Sequence, residues 1–73
     1  MNESNDSQNA QILLYLRQGK TITSLEALRL FGCLRLSGRI FDLRQRQIPI
    51  KARTLKTLSG KRVAEYYLEP VKP

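Results

Sequence analysis

Residues 23–47, TSLEALRLFGCLRLSGRIFDLRQRQ, contain the helix signals that decide the fold. Thr23-Ser24-Leu25-Glu26 matches the capping box, in which a threonine and the glutamate three residues later cap each other's backbone N–H groups. Gly32 is a typical C-terminal helix stop. The pattern predicts a short helix between these two signals. Its apolar face is expected to hold Leu25, Leu28 and Phe31.

A further helix is predicted over about residues 35–47, after a turn at Gly32-Cys33-Leu34. Its inward stripe, set by helical spacing, consists of Leu36, Ile40, Leu43 and Gln47. Its outward arc holds Ser37, Gly38, Phe41, Asp42 and Gln45. Arg35, Arg39 and Arg46 lie along one flank. Gln47 stands where a helix-ending glycine is common, so this helix either frays there or runs on.

The segment before the capping box predicts one more helix, over about residues 7–18, with Asp6 or Ser7 as N-cap. Its apolar residues recur at helical spacing, and Gly19 is its stop. Residues 1–6 are expected to form a flexible polar lead. Lys20-Thr21-Ile22 is expected to be a link or a minor strand.

The last third of the chain has the composition of a β-hairpin, with strands at about residues 50–57 and 61–68. A three-residue loop, Leu58-Ser59-Gly60, places Gly60 where such a loop needs a left-handed residue. This register separates the apolar from the charged side chains, so we prefer it to a two-residue loop. It pairs Ile50 with Leu68, Ala52 with Tyr66, Thr54 with Ala64, Arg53 with Glu65 and Leu55 with Val63. Residues 70–73 are expected to be a short tail.

The predicted fold is therefore α+β, a single domain over residues 7–69 with three helices followed by a β-hairpin. Two helices joined by a short glycine-containing turn, the second with a basic outer surface, are the parts of a helix-turn-helix. The segments ITSLEAL (22–28), LRLSGRIFDLR (34–44), IPI (48–50) and VAEYYL (63–68) resemble a family of short helix-turn-helix proteins from bacteriophages and other mobile elements. The resemblance covers about residues 10–68 and implies a winged helix-turn-helix, with the hairpin as its wing.

Positive charge is concentrated in the second half of the chain. The protein has a net charge of +7, and residues 35–62 alone carry nine Lys or Arg side chains against the single Asp42. Such a concentration indicates a polyanionic partner, although a solubilising surface has the same composition. Because the charges fall on the third helix and on the hairpin tip, we expect sequence-specific binding to double-stranded DNA, with helix 35–47 in the major groove.

Particular side chains are candidates for DNA contacts. Arg35 and Arg39 suit bidentate bonding to guanine, with phosphate contact as the alternative for each and simple solvent exposure as the third possibility. Asp42 either orients a neighbouring arginine, which we prefer, or accepts from a cytosine amino group. Gly38 replaces the usual small helix former of the family, either for close approach to DNA or by drift. The full candidate set is Thr23, Ser24, Arg35, Ser37, Gly38, Arg39, Asp42, Gln45, Arg46, Arg53, Lys56, Lys61 and Arg62, the first two beside a phosphate and the last three at the hairpin tip.

The composition argues against catalysis. The chain has no histidine and a single cysteine, Cys33, which excludes zinc-finger spacings, Cys/His nucleophile pairs and an internal disulfide. We find no carboxylate pair placed for acid–base work and no glycine-rich phosphate loop. The prediction is a non-enzyme with no cofactor and no metal, with no membrane segment, located in the cytoplasm of a bacterial host.

Several alternatives remain open from the sequence. We expect Phe41 to pack against the first helix, the other option being partial exposure at a dimer contact. The three tyrosines are expected to pack in the core and hairpin, and Cys33 to be a small buried residue. The expected biological role is transcriptional repression, transcriptional activation or excisionase-like control of recombination. Because a single helix-turn-helix covers little DNA, we expect a homodimer or a cooperative array. The alternative function is a protein-binding adaptor, such as an anti-repressor or a host-factor inhibitor. RNA binding is a third option.

Overall fold

A computed structural model describes residues 3–69, with side chains from Ser7 onward. The predicted tail at 70–73 lies outside the described residues. The elements are α1 (Glu3–Arg17), β1 (Ile22–Thr23), α2 (Ser24–Phe31), α3 (Leu36–Gln45), β2 (Ile50–Lys56) and β3 (Arg62–Leu68). The strands form one antiparallel sheet in the order β1-β3-β2. The predicted α+β fold is confirmed, and the link before the capping box contributes the minor strand β1.

The core lies where the three helices meet the sheet; Tyr66 and Leu68 of β3 are partly buried against it, and the other elements each contribute at least one buried residue. The predicted stripe of Leu36, Ile40 and Leu43 is fully buried, as is Cys33 in the turn before it. Burial of each large aliphatic side chain stabilises the fold by about 1.5–3 kcal/mol, so this stripe fixes which side of α3 faces solvent. The buried apolar residues are Ile12, Leu16, Ile22, Ala27, Cys33, Leu36, Ile40, Leu43 and Ile50.

α1 starts at Glu3, upstream of the predicted N-cap at Asp6 or Ser7, which corrects the predicted helix start. A contact distant in sequence holds α1 against the end of α2. Gln8 Nε2 donates to the carbonyl oxygens of Phe31 and Gly32, at 3.3 and 3.4 Å, at the end of α2. Tertiary contacts of this kind, rather than local propensity, stabilise most short helices.

The ends of α2 match the predictions. Thr23 is the N-cap, where its Oγ1 accepts from Glu26 N at 3.3 Å, and the Glu26 carboxylate accepts from Thr23 N at 2.9 Å. This reciprocal pair is the capping box. Gly32 closes the helix in the left-handed conformation, with φ of 64°, which glycine adopts without a steric penalty.

The predicted apolar face of α2 is wrong for Leu25 and Leu28, whereas Phe31 packs against the core as predicted. Leu25 and Leu28 are 62% and 42% exposed, and Ala27 is the fully buried residue of this helix. Phe31 is half-buried, with its ring 5.6 Å from that of Tyr15 in an edge-to-face arrangement. Because Thr23 is held in the sheet by β3, the strand that precedes α2 sets the rotation of the helix, and this rotation turns Ala27 inward.

α3 ends at Gln45, before the predicted end at Gln47. Gln47 is exposed and is not part of the inward stripe, which corrects the prediction. It has φ of 69°, the left-handed conformation that a terminating glycine would take. The N–H of Ile48 then bonds to the carbonyl of Leu43 at 3.2 Å, so the chain leaves the helix sharply toward β2. A non-glycine residue in this conformation costs roughly 1–2 kcal/mol.

The hairpin has the predicted register. Ile50 pairs with Leu68, Arg53 with Glu65 and Leu55 with Val63, as do the other predicted partners. Gly60 lies in the loop with φ of 87°, the left-handed conformation that a three-residue loop needs at this position. Beyond Ile50, every residue of β2 is exposed, so the distal part of the hairpin projects from the core.

The tyrosines pack within the protein, as expected. Tyr15 and Tyr66 lie against the core cluster. Tyr67 is half-buried on the hairpin, where the guanidinium of Arg53 lies 5.0 Å from its ring centroid. None of the three is therefore presented as an open platform for stacking bases.

Candidate nucleic-acid interface

The side of α3 opposite its buried stripe is open to solvent. Ser37 and Gln45 are exposed there, Gly38 is partly exposed, and a Cβ built on Gly38 would have no atom within 4 Å. Phe41 lies among them and is 62% exposed. The prediction that Phe41 packs against the first helix is therefore wrong. Within the part of the chain that the structure describes, no feature requires a glycine at residue 38, since its φ is not in the left-handed range and a Cβ there would meet no atom within 4 Å.

Arg39 and Asp42 form an ion pair on the flank of α3. Nη2 of Arg39 lies 3.3 Å from Oδ2 of Asp42, and the two side chains are 16% and 40% exposed. Nε of Arg39 is buried and has no hydrogen-bond partner among the described residues. Arg39 is thus mostly withdrawn from solvent, and Asp42 holds it, which is the orienting role preferred for Asp42 from the sequence.

The two ends of α3 carry further arginines. Arg35 is the N-cap residue and is exposed, with no hydrogen bond from its side chain to the cap. Arg46 is the exposed C-cap residue. Arg44, by contrast, supports the fold: its Nε donates to the carbonyl of Ile50 at 3.0 Å, and its guanidinium lies 6.0 Å from the Tyr66 ring centroid. This contact ties α3 to the hairpin.

The N-terminus of α2 offers less to a phosphate than the sequence suggested. The hydroxyl of Thr23 is engaged in the capping box, and the carboxylate of Glu26 lies at the same helix end. A carboxylate there already complements the helix dipole and repels another anion. Ser24 is exposed beside it, so a contact in this region falls to Ser24 and to the backbone.

The tip of the hairpin is basic and exposed. Lys56 pairs with Arg62 across the two strands, Lys61 follows the loop, and all three are exposed. The loop is held by Thr57, whose N–H bonds to the Lys61 carbonyl at 2.8 Å and whose Oγ1 accepts from Lys61 N at 3.2 Å. Leu58 at the apex is fully exposed. The tip therefore presents three cations on an ordered turn.

Arg53 takes part in a hydrogen-bonded network with Glu65, although its side chain is 57% exposed. Its Nε donates to Glu65 at 2.8 Å, and Thr21 Oγ1 donates to the other carboxylate oxygen at 2.7 Å. The Thr21 hydrogen bond, then that of Arg53, lowers the pKa of Glu65 below its ordinary value, against a smaller opposing effect of burial. Glu65, in the central strand, thus links β2 to the segment before β1.

The helix α2, the turn at residues 32–35, the helix α3 and the following hairpin have the order and packing of a known domain type. The profile of the winged helix-turn-helix domain matches residues 7–71. The chain belongs to this family. Searches of curated proteins and of solved structures found no match. A winged helix-turn-helix domain is typically a DNA-binding fold without catalytic activity.

Family membership assigns names to the parts of this winged helix. α2 and α3 are the helix-turn-helix, α3 is its second helix, and the β2–β3 hairpin is the wing. The exposure of Phe41 on α3 was not predicted from the sequence, because its position about 140° from Leu36 around the helix axis fits either a contact with α1 or exposure.

Among the described residues, no helix has the length and hydropathy needed to cross a membrane.

Proposed function

We propose that this winged helix binds double-stranded DNA sequence-specifically, with α3 in the major groove and the wing on the flanking backbone. The observation that carries the proposal is the outward side of α3. It combines hydrogen-bonding side chains, Ser37 and Gln45, with an open backbone at Gly38. The second helix of a helix-turn-helix reads base edges in the major groove with such a surface.

The charge distribution supports contact with the DNA backbone. Lys56, Lys61 and Arg62 are exposed at the wing tip, where they would neutralise phosphates beside the groove occupied by α3. Each such contact releases condensed counterions, so affinity would fall steeply with salt concentration. These contacts position the protein and carry no sequence information by themselves.

The candidate residues take different roles in this proposal. Arg35, exposed at the start of α3, is the best donor to guanine. Arg39 is held by Asp42 and contacts DNA only with the end of its guanidinium. Ser24 and the backbone at the start of α2 meet a phosphate, with Thr23 acting as the cap. Arg46 contacts DNA at the C-terminal end of α3, and Arg53 stabilises the wing through its hydrogen bond to Glu65.

The resemblance to short proteins of bacteriophages and mobile elements supports one proposal for the biological role. We propose a transcriptional regulator or an excisionase-like recombination factor in the cytoplasm of a bacterial host. A single helix-turn-helix covers little DNA, so a homodimer or a cooperative array on repeated sites is part of the proposal.

Selection from a random duplex pool, followed by fluorescence anisotropy across a salt series, tests this function. We expect selected DNA to be bound about 10³-fold or more tighter than random DNA. Arg35→Ala should relax the preference at one base pair, whereas Lys56→Ala should weaken binding to selected and random DNA alike. Equal affinity for all duplexes would reduce the role to nonspecific binding, and no binding at modest salt would overturn the proposal.

A second function, that of a protein-binding adaptor, is favoured by one observation. An open cleft of about 460 Å³ lies between the start of α2 and the wing, lined by Leu25, Leu55 and Val63 among others. Leu25 and Leu55 are 62% and 37% exposed, and grooves of this kind accept apolar side chains of a partner. A partner captured after nuclease treatment, and lost with Leu25→Asp, would support this function, provided that selective DNA binding is absent.

A further inference from the structure

Phe41 is the largest apolar side chain on the solvent-facing side of α3, and most of its surface is left open to solvent. It is 62% exposed, whereas the other phenylalanine, Phe31, packs against Tyr15 with ring centroids 5.6 Å apart. An aromatic ring stabilises a protein mainly when it is buried. The exposure of Phe41 therefore indicates a contact outside the folded chain.

The surroundings of Phe41 on the helix are polar. Residues three and four positions away are its neighbours on a helix surface; for Phe41 these are Ser37, Gly38, Arg44 and Gln45. None is apolar, and the flanks of α3 carry arginines. Protein interfaces centre on clusters of apolar and aromatic side chains, and arginine is common in them, so the absence of an apolar residue three or four positions from Phe41 is the informative feature. A phenyl ring whose helix neighbours are all polar fits an apolar spot on a polyanion better than it fits the apolar centre of a protein interface.

We propose that Phe41 is a specificity-determining residue that contacts the C5-methyl group of thymine in the major groove. The inference rests on the proposed DNA-binding function. The thymine methyl is the apolar group on the major-groove edges of the base pairs, and phenylalanine is among the side chains that contact it. The open backbone at Gly38, one turn before Phe41, allows α3 to approach the base edges closely.

Deoxyuridine substitution tests the contact, because it removes the methyl group and leaves base pairing unchanged. In the selected duplex, each thymine is replaced in turn, and affinity is measured by anisotropy. For the wild-type protein we expect at least one position at which the loss is about fourfold, the value for burying one methyl-sized group. Phe41→Ala should bind the thymine duplex more weakly and be insensitive to deoxyuridine at that position, and Phe41→Leu should retain part of the effect.

Leu34→Ala is the matched control, since Leu34 is an exposed apolar residue (80%) that lies before α3. It should keep the wild-type response to deoxyuridine. The inference is overturned if wild type and Phe41→Ala respond equally at every thymine. It is also overturned if sedimentation shows a DNA-independent dimer that Phe41→Ala abolishes, since Phe41 would then belong to a protein interface. If the wild-type protein selects no sequence from the pool, the proposed function itself is overturned. That result differs from the two outcomes above, which concern only the role of Phe41.

Discussion

The guanidinium of Arg39 lies 3.3 Å from the carboxylate of Asp42, one turn later on α3. The arginine is the buried member of the pair, at 16% exposure, and the aspartate is the more exposed one, at 40%. The pair thus turns its acidic member toward solvent on the helix that we propose enters the major groove. Asp42 holds Arg39 in place and at the same time weakens the attraction of α3 for phosphate.

Replacing Asp42 by asparagine should strengthen DNA binding. Asp42→Asn keeps an oxygen acceptor near Arg39 and removes the negative charge. One unit-charge interaction at about 4 Å in water is worth about 1 kcal/mol, or roughly a fivefold gain in affinity. Anisotropy at low salt measures the change. Glu69→Gln is the control, since it removes the same charge from an exposed pair with Lys51. Equal gains from both variants would show that only net charge matters.

Truncation of a wing-tip lysine should change the salt dependence of binding. Lys61→Ala removes one proposed phosphate contact, so the slope of log K against log[salt] should become less negative by about 0.9. Lys20→Ala removes the same charge beside Tyr15, where Nζ lies 5.1 Å from the ring centroid, and should leave the slope unchanged. Anisotropy titrations at four or more salt concentrations give both slopes. An unchanged slope for Lys61→Ala would remove the wing tip from the interface.

The stability of the wing should depend on pH through Glu65. Its pKa is lowered in the folded protein, chiefly by the hydrogen bond from Thr21 and then by that from Arg53. A lowered pKa stabilises the fold at pH values above the unfolded pKa, and the stabilisation is lost as the pH falls through the folded pKa. The free energy of unfolding should therefore decrease below about pH 4.5, the ordinary value for this group.

Urea denaturation of the wild type and of Glu65→Gln between pH 7 and pH 2.5 measures this contribution. Glu65→Gln should be about 1 kcal/mol less stable than wild type at pH 7, and the difference should shrink at the acidic end. Glu69→Gln should change the free energy of unfolding much less. The side chains of Lys51 and Glu69 are 50% and 59% exposed, and an exposed ion pair contributes little to stability. A difference for Glu65→Gln that stays constant with pH would contradict the assignment.

Glycine at residue 47 should stabilise the protein. Gln47 has a left-handed backbone with φ of 69°, which glycine adopts without the steric cost of a Cβ. Gln47→Gly should raise the free energy of unfolding by about 1 kcal/mol, or the melting temperature by about 5 °C. Gln11→Gly, within α1, should lower stability by about 1 kcal/mol. Calorimetry compares the two, and destabilisation by Gln47→Gly would contradict the backbone argument.

Local chemistry in the sequence determined the elements and most of their boundaries. The capping box at Thr23 and Glu26, the stop at Gly32 and the hairpin register with Gly60 were all predicted, because each depends on residues close together in the chain or on strict alternation. The buried stripe of α3 was predicted as well, since its repeat is unambiguous. Family membership is consistent with all of these features.

Only the tertiary structure decided how the elements face one another. The short α2 turns Ala27 inward and leaves Leu25 exposed, a rotation set by its junction with the sheet and not by its own pattern. Arg39 is mostly buried against Asp42, and Phe41 is open to solvent, although both lie outside the buried stripe. For side chains at the edge of a stripe or beyond it, helical periodicity gives the direction around the axis. Whether that direction meets protein or solvent depends on neighbours that are distant in the sequence.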